Sequence, residues 1–428
     1  MFGRCGDATT DRSATAHGDP VVSARLHVQR RRVSPWGIAA VMALEGCAGT
    51  VTSRAFDASR GPPPSYDPRR RGEDARADGP APHVVELSLP GLSRYARMSD
   101  GTVRCRGDNR YGQLGQGTTD ETPTDAPRTI PGLDRVVQVI ATLSNAACAL
   151  RDDGTVFCWG ANDFGQLGIG HPQDERCGAV PRACRARPTR VEGIDEVVQL
   201  AADVMSFCAV RRSGEVWCWG SALPLLPNEG SAIPVRATLT DVAALWIRDN
   251  APIIRLRTGT FLDLRQRGRA QIPAGAEIEG HLATGHLCYR LPDQTVRCLG
   301  RNGSGQIGNG ASSRTDLVAS PWDPGLRGVR SVIAGSSHSC AILDDGRVSC
   351  WGDRFGLGSS GESPEVCESI LGPVRCVTRS APLAGLDEVT RLFPASWGGC
   401  ALRVDHSVWC WGNEGDRTNP TVPVRVLW

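Results

Sequence analysis

Seventeen cysteines stand in this 428-residue chain, and ten of them form pairs separated by ten positions: Cys148 and Cys158, Cys208 and Cys218, Cys288 and Cys298, Cys340 and Cys350, Cys400 and Cys410. Thiols so placed could hold a metal or join as disulfides. A zinc site would need further partners at two-to-four-residue spacing, and none accompanies these pairs, so no metal and no other cofactor is expected. An even separation requires an odd loop. For Cys148 and Cys158 that loop is Asp152, Asp153 and Gly154, a three-residue type I turn whose last position takes the left-handed conformation that glycine tolerates. Counting outward from Arg151 opposite Thr155, the two cysteines face each other at a site not flanked by paired hydrogen bonds. Their Cα atoms should approach to about 4.5 Å, at the short end of the roughly 4.4–6.8 Å disulfide range. Cross-strand staples are therefore expected in all five hairpins.

Two further pairs, Cys177 with Cys184 and Cys367 with Cys376, lie in longer segments, which leaves Cys5, Cys47 and Cys105 over. Tyr95 stands where Cys105 would find its partner. Cysteine usage of this kind belongs to an oxidising compartment.

The staples imply a repeated element. The segment "DGTVFCWGANDFGQLGIG" from Asp153 recurs as "DGTVRCRGDNRYGQLGQG" from Asp100, "SGEVWCWG" from Ser213, "DQTVRCLGRNGSGQIGNG" from Asp293, "DGRVSCWGDRFGLGSSG" from Asp345 and "DHSVWCWGNEG" from Asp405. A worn copy, "TGTFLDLRQRG", begins at Thr258. Gln294 and His406 replace the turn glycine, so those turns should be strained or differently closed. Each unit has an apolar strand upstream, as in "DRVVQVIA" and "DEVVQLAA", and together these read as one small antiparallel sheet per unit. One such sheet cannot bury both its faces, so the units must stack, and closing the stack removes its exposed ends. Seven units match an all-β, seven-bladed propeller. Trp159, Trp219, Trp351 and Trp411 read as fillers between blades, a carbohydrate-stacking ladder being the alternative. His286 and His338, each two residues before a staple cysteine, read as structural.

The pattern resembles the regulator of chromosome condensation repeat, whose units carry a similar turn, aromatic and "GQLG" run. The resemblance covers roughly residues 83–428. It implies a seven-bladed ring, often closed by a strand from one terminus pairing into the blade of the other. The C-terminal "NPTVPVRVLW" is similar to "ARPTRVEGIDEV" and is expected to complete the first unit. The family's eukaryotic founder is a nuclear exchange factor for a small GTPase, whereas bacterial secreted members look like binding proteins, including inhibitors of β-lactamase.

Arg30, Arg31 and Arg32 precede the apolar run "WGIAAVMAL" and then Gly46 and Cys47, which resembles a bacterial lipoprotein signal with Cys47 as the lipidated residue. Residues 1–27 are then an extension from a start assigned too early, 28–46 the signal and 47–82 a Pro-, Gly- and charge-rich disordered tether. Residues 83–428 form the propeller. The net charge of +2 provides no field for a polyanion, so nucleic acid is not expected as a partner. The expected address is the outer membrane or cell surface, otherwise the periplasm or the exterior.

No lone Ser, Cys or carboxylate pair stands in a recognisable nucleophilic or acid/base setting, so an enzyme is not expected. Departures from the repeat are more informative, because insertions in a ring project from its faces. "HPQDERCGAVPRACRARP" in unit two and "ESPEVCESILGPVRCVTRSA" in unit six share one place within the unit, nearly opposite each other in a seven-fold ring. The expected function is that of a tethered monomer binding a protein or glycan between these two cystine-braced loops, through Arg176, Arg182, Arg185 and Ile370. A structural cell-envelope component and a polysaccharide-active enzyme are the alternatives. The membrane is a partner only through the lipid anchor.

Overall fold

The computed structural model describes residues 81–428 except 171–174, 180, 222, 227–229, 249–250, 265–267, 270, 280–284, 358–364, 370–371, 397 and 413–421. The extension, the signal, the tether with Cys47, and Ile370 all lie outside these residues. Among the described residues no helix is long and apolar enough to cross a membrane.

The chain forms seven antiparallel sheets in sequence order, one per repeat. The first blade shows the plan, with strands Val84–Ser88, Ser93–Met98, Val103–Asn109 and Asp120–Thr129 paired in that order. The worn fourth repeat is a complete blade of four strands, whereas the fifth shows three among the described residues, with the bridge between Glu277 and Arg290 at its inner edge.

The hairpins are closed as their spacing requires. In the second blade Arg151 N–H donates to Thr155 at 2.9 Å and Gly154 N–H donates to Arg151 at 3.0 Å, with Gly154 at φ 82°. The Asp153 carboxylate accepts both the Thr155 amide and its hydroxyl, bonds that hold its carboxyl below the usual range. Gln294 and His406 adopt the same left-handed conformation, at φ 62° and 63°, so those turns keep the common closure at the cost of strain. Each cysteine pair is in direct register, and the five cross-strand disulfides hold Cα atoms 4.0–4.1 Å apart, slightly closer than the spacing predicts. Tyr95 faces Cys105, the one free cysteine among the described residues, and burial pushes that thiol up to about 12.

The core is not one mass but seven apolar clusters, each shared by two neighbouring blades. The four repeat tryptophans are fully buried, each in the cluster facing the preceding blade. Their position within the core excludes a carbohydrate ladder. Three of them also bolt blade to blade. Trp159 Nε1 donates to the carbonyl oxygen of Gln113 at 2.8 Å, Trp219 to Gln166 at 3.0 Å and Trp351 to Gln306 at 2.8 Å. Those glutamines belong to the "GQLG" or "GQIG" run of the blade before, which explains why that run recurs with the tryptophan.

At the opposite end of the blades, five of the hairpin turns accept the first amide of the next inner strand, as in Val136 N–H to Gly101 and Val197 N–H to Gly154 at 2.9 and 3.1 Å. Gln294 makes the same bond to Val329 at 3.0 Å.

The C-terminal strand departs from the expectation. Val424–Val426 pairs with Val408–Gly412 and so completes the seventh blade, not the first. Its register, Cys410 opposite Val424, matches Cys158 opposite Thr189, so the tail is the outer strand of its own repeat. The first blade nonetheless receives something from it. Arg106 occupies the position held by tryptophan in other repeats, and Trp428 lies beneath its guanidinium, 4.8 Å from carbon to ring centre. Arg104 Nη1 donates to the Trp428 carbonyl oxygen at 2.7 Å. The ring closes through this contact and the cluster uniting Val84, Leu87 and Met98 with Phe393, Leu402 and Val408.

His286 and His338 are buried, as their repeat position suggests. His286 Nε2 meets the Ser339 hydroxyl at 2.9 Å. Burial pushes His338 down to about 4, opposed by the backbone of Gly398. An unfolded histidine titrates near 6.5, so between those values the unfolded chain takes up a proton that the folded protein refuses. The stabilising contribution is present above pH 6.5 and lost as pH falls through about 4, by up to about 3 kcal/mol. Denaturant midpoints measured from pH 7 to pH 4 should fall for the native chain and fall less for His338→Gln; equal slopes would contradict this assignment.

Candidate functional site

The two braced insertions are β-ribbons that add a fifth strand to the outer edges of blades two and six. In blade two, Glu175–Cys177 pairs with Arg182–Arg190; in blade six, Glu365–Ser369 pairs with Gly372–Pro382. Strand alternation places both at the end of the blades that also carries the connections after the inner strands, so they share one face. They are built alike. Glu175 faces Cys184 as Glu365 faces Cys376, and each carboxylate accepts one backbone amide of the longer strand, from Ala186 at 3.1 Å and from Thr378 at 2.8 Å. Disulfides Cys177–Cys184 and Cys367–Cys376 brace them with Cα atoms 6.0 and 5.9 Å apart.

Each ribbon leans on the preceding blade's glycine run. Gly117 N–H donates to Ala186 at 2.7 Å, and Gly310 N–H to Thr378 at 2.9 Å. A methyl group on Gly112 would come within 2.6 Å of the Ala186 backbone, so that glycine is required by close approach as well as by its φ of 71°.

The bracing is shared, each strand of the blade-six ribbon is two residues longer, and the exposed side chains differ. Arg176 and Arg182 point outward on the blade-two ribbon, and Arg182 lies over Tyr111 of the first blade at 5.6 Å and 3.8 Å from Asp163. Arg185 is half-buried and opposes Gly160 in the sheet. At the site matching Arg176, blade six exposes Val366, 55% accessible, a residue the sequence reading passed over. Glu175, Cys177 and Cys184 bring potential metal-ligating atoms within 4.8 Å of one another, but the two sulfurs are bonded to each other, which removes the thiolates a metal would need.

The second feature is a cavity of about 630 Å³ lined by inner strands and the connections that follow them. Glu86, Ser331 and Arg391 follow equivalent bulges in the inner strands of three blades and line it with Glu279 and Arg330. Leu89, Leu143, Val204 and Pro394 also line it. The two positions equivalent to Glu86 in blades two and three are Gln138 and Gln199, and each spans to the next inner strand like a missing peptide group. Gln138 accepts Leu200 N–H at 2.7 Å and donates to Leu200 O at 2.9 Å; Gln199 treats Leu245 likewise, at 3.0 Å both ways. Arg391 continues this belt by donating to Val85 O at 2.6 Å. Burial raises the Glu86 carboxyl, against the opposing pull of Arg97, whose Nε donates to it at 2.9 Å, and of Arg391. The Ser331 hydroxyl donates to Glu279. Repetition of "VVQ" at Val136 and Val197 is the signal in the sequence that could have revealed this belt.

Residues 100–144, 153–209 and 329–354 match the regulator of chromosome condensation repeat. Over those segments the chain is similar to that repeat family. Similar proteins of this repeat family include the mouse E3 ubiquitin-protein ligase HERC2, 27% identical over 79% of this chain and 6% of that protein. The bovine secretion-regulating guanine nucleotide exchange factor is 27% identical over 63% of this chain and 52% of its own length. This chain therefore spans a small fraction of the ligase and about half of the exchange factor. Yeast RCC1 (Prp20), solved bound to Kap60, aligns over 81% of this chain and 75% of its own with 20% identity and a TM-score of 0.47.

Proposed function

We propose that this repeat propeller is an exported binding module, tethered through a lipid on Cys47, that captures a protein between its two cystine-braced ribbons. One observation carries the reading: blades two and six reproduce the same bracing on ribbons of different length and vary what the ribbon displays, basic at Arg176 and Arg182, apolar at Val366. A binding surface needs that combination of rigid support and chosen side chains. The disulfides support an oxidising compartment, and the bacterial lipoprotein anchor rests on the signal-like segment before Cys47.

Binding is favoured over catalysis because two of the cavity's carboxylates are already engaged, Glu86 by Arg97 and Glu279 by Ser331. Arg185, half-buried within the sheet, is a support rather than a contact.

The test is capture by the immobilised oxidised protein from envelope and extracellular fractions, followed by affinity measurement on the retained partner. Arg176→Ala with Arg182→Ala should weaken binding at least 30-fold, the equivalent of about 2 kcal/mol for a hot spot, with the thermal midpoint unchanged. Retention of one glycan, of no specific ligand, or undiminished capture by the variant would each reject the reading.

A further inference from the structure

Two departures from the repeat meet at the seam between the last blade and the first. His406 occupies the third turn position, where Gly101, Gly154, Gly214 and Gly346 stand in other blades. At those blades the turn glycine packs against the backbone of the residue leading the next inner strand, for example Gly154 against Glu196 and Gly346 against Glu388. At the seam the leading residue is His83, and the imidazoles of His83 and His406 stack with centroids 3.7 Å apart and planes 25° from parallel. The bond that five other turns accept from the first amide of the next strand has no counterpart between Val84 and His406 among the described residues. The seam thus exchanges a backbone hydrogen bond for a pair of imidazoles, one exposed and one half-exposed, and keeps a non-glycine residue at φ 63° to do so. A side chain retained in that conformation against its intrinsic cost is a reason to look for function.

We propose that His83 and His406 form a two-histidine site for a divalent late transition ion, Zn²⁺ foremost, which clamps the first blade to the last. Imidazole nitrogen is a preferred ligand for such ions. Zinc takes nitrogen at about 2.0–2.1 Å, so a tetrahedral ion needs its two nitrogens roughly 3.4 Å apart, within reach of two rings whose centroids already lie 3.7 Å apart. Binding requires the rings to leave the stacked arrangement by rotation about the second side-chain torsion, a soft coordinate for histidine, until one nitrogen of each faces the ion. Water completes the coordination. The surrounding groups are compatible: the Asp405 carboxylate is held by the Ser407 amide and hydroxyl, and the Ser99 hydroxyl accepts the His83 amide, so neither imidazole is recruited by a neighbouring side chain among these bonds. The ion would act at the seam as the disulfides act within hairpins, joining parts far apart in sequence.

The experiment is calorimetric titration of the full-length oxidised protein with ZnCl₂, and separately NiCl₂, against His83→Ala and His406→Gly. The second variant restores the residue that five other turns carry, so it preserves the fold. Wild type should bind zinc and show a zinc-dependent rise in thermal midpoint, while either variant should lose at least tenfold in affinity at this site and lose the rise. Zinc binding and stabilisation unchanged in His406→Gly, or no binding by wild type at millimolar zinc, would overturn the proposal.

Discussion

Opening every disulfide of the folded protein with a strong reductant should unfold it at room temperature. Each ten-residue staple removes loop entropy from the unfolded chain worth about 2.7 kcal/mol. Five such staples and two ribbon braces together amount to more than 10 kcal/mol, comparable with the roughly 5–15 kcal/mol that holds an ordinary domain together. The blades have little to offset that loss, because each contributes a thin sheet whose apolar side is shared with its neighbours. Urea melts followed by tryptophan fluorescence, with and without reductant, would measure the effect. A reduced chain that keeps its native midpoint would show that the staples are incidental. Mass mapping of the unreduced protein should find Cys105 alone as a thiol among the described cysteines, since it faces Tyr95.

The second large effect is expected from Trp219→Ala. The ring is fully buried, its indole N–H is bonded to the Gln166 carbonyl, and it packs against Gly168, where a Cβ would lie 2.8 Å from the ring. Truncation leaves a cavity between blades two and three and an unpaired carbonyl, at a cost of about 3–5 kcal/mol. Trp219→Phe separates the two parts, since it keeps most of the volume and loses the hydrogen bond, for about 1–3 kcal/mol. Trp322, 46% accessible, is the control, and its replacement by alanine should change stability by less than about 0.5 kcal/mol. Equal effects at Trp219 and Trp322 would remove the reason given for the repeated aromatic.

The hairpins were legible from sequence because their information is local. Ten residues between cysteines, a three-residue turn and a left-handed glycine fix register without reference to anything distant. The number of blades followed from counting the same signal, including the worn copy at Thr258. Partners reached across a blade boundary were not legible. Nothing local says that the Gln113 carbonyl will accept the Trp159 indole, that Gln138 will imitate a peptide beside Leu200, or that His83 will lie on His406. The placement of the tail was misjudged for the same reason: its likeness to "ARPTRVEGIDEV" was sound, but that segment closes one repeat before it opens the next. For the candidate site, the braced loops were visible as paired cysteines outside the hairpin spacing. Val366 was not, because exposure at a strand edge depends on which side of the ribbon meets the neighbouring blade.

The apolar clusters carry one more consequence. Each spans a boundary, so the quantum of cooperativity is the junction and not the repeat that the genetic text spells out. A linear run of seven such units would possess six junctions, and joining its ends creates a seventh from surfaces that already exist. Local opening should therefore release half of one unit together with half of the next, and hydrogen-exchange protection should change midway through each repeat instead of at its edges.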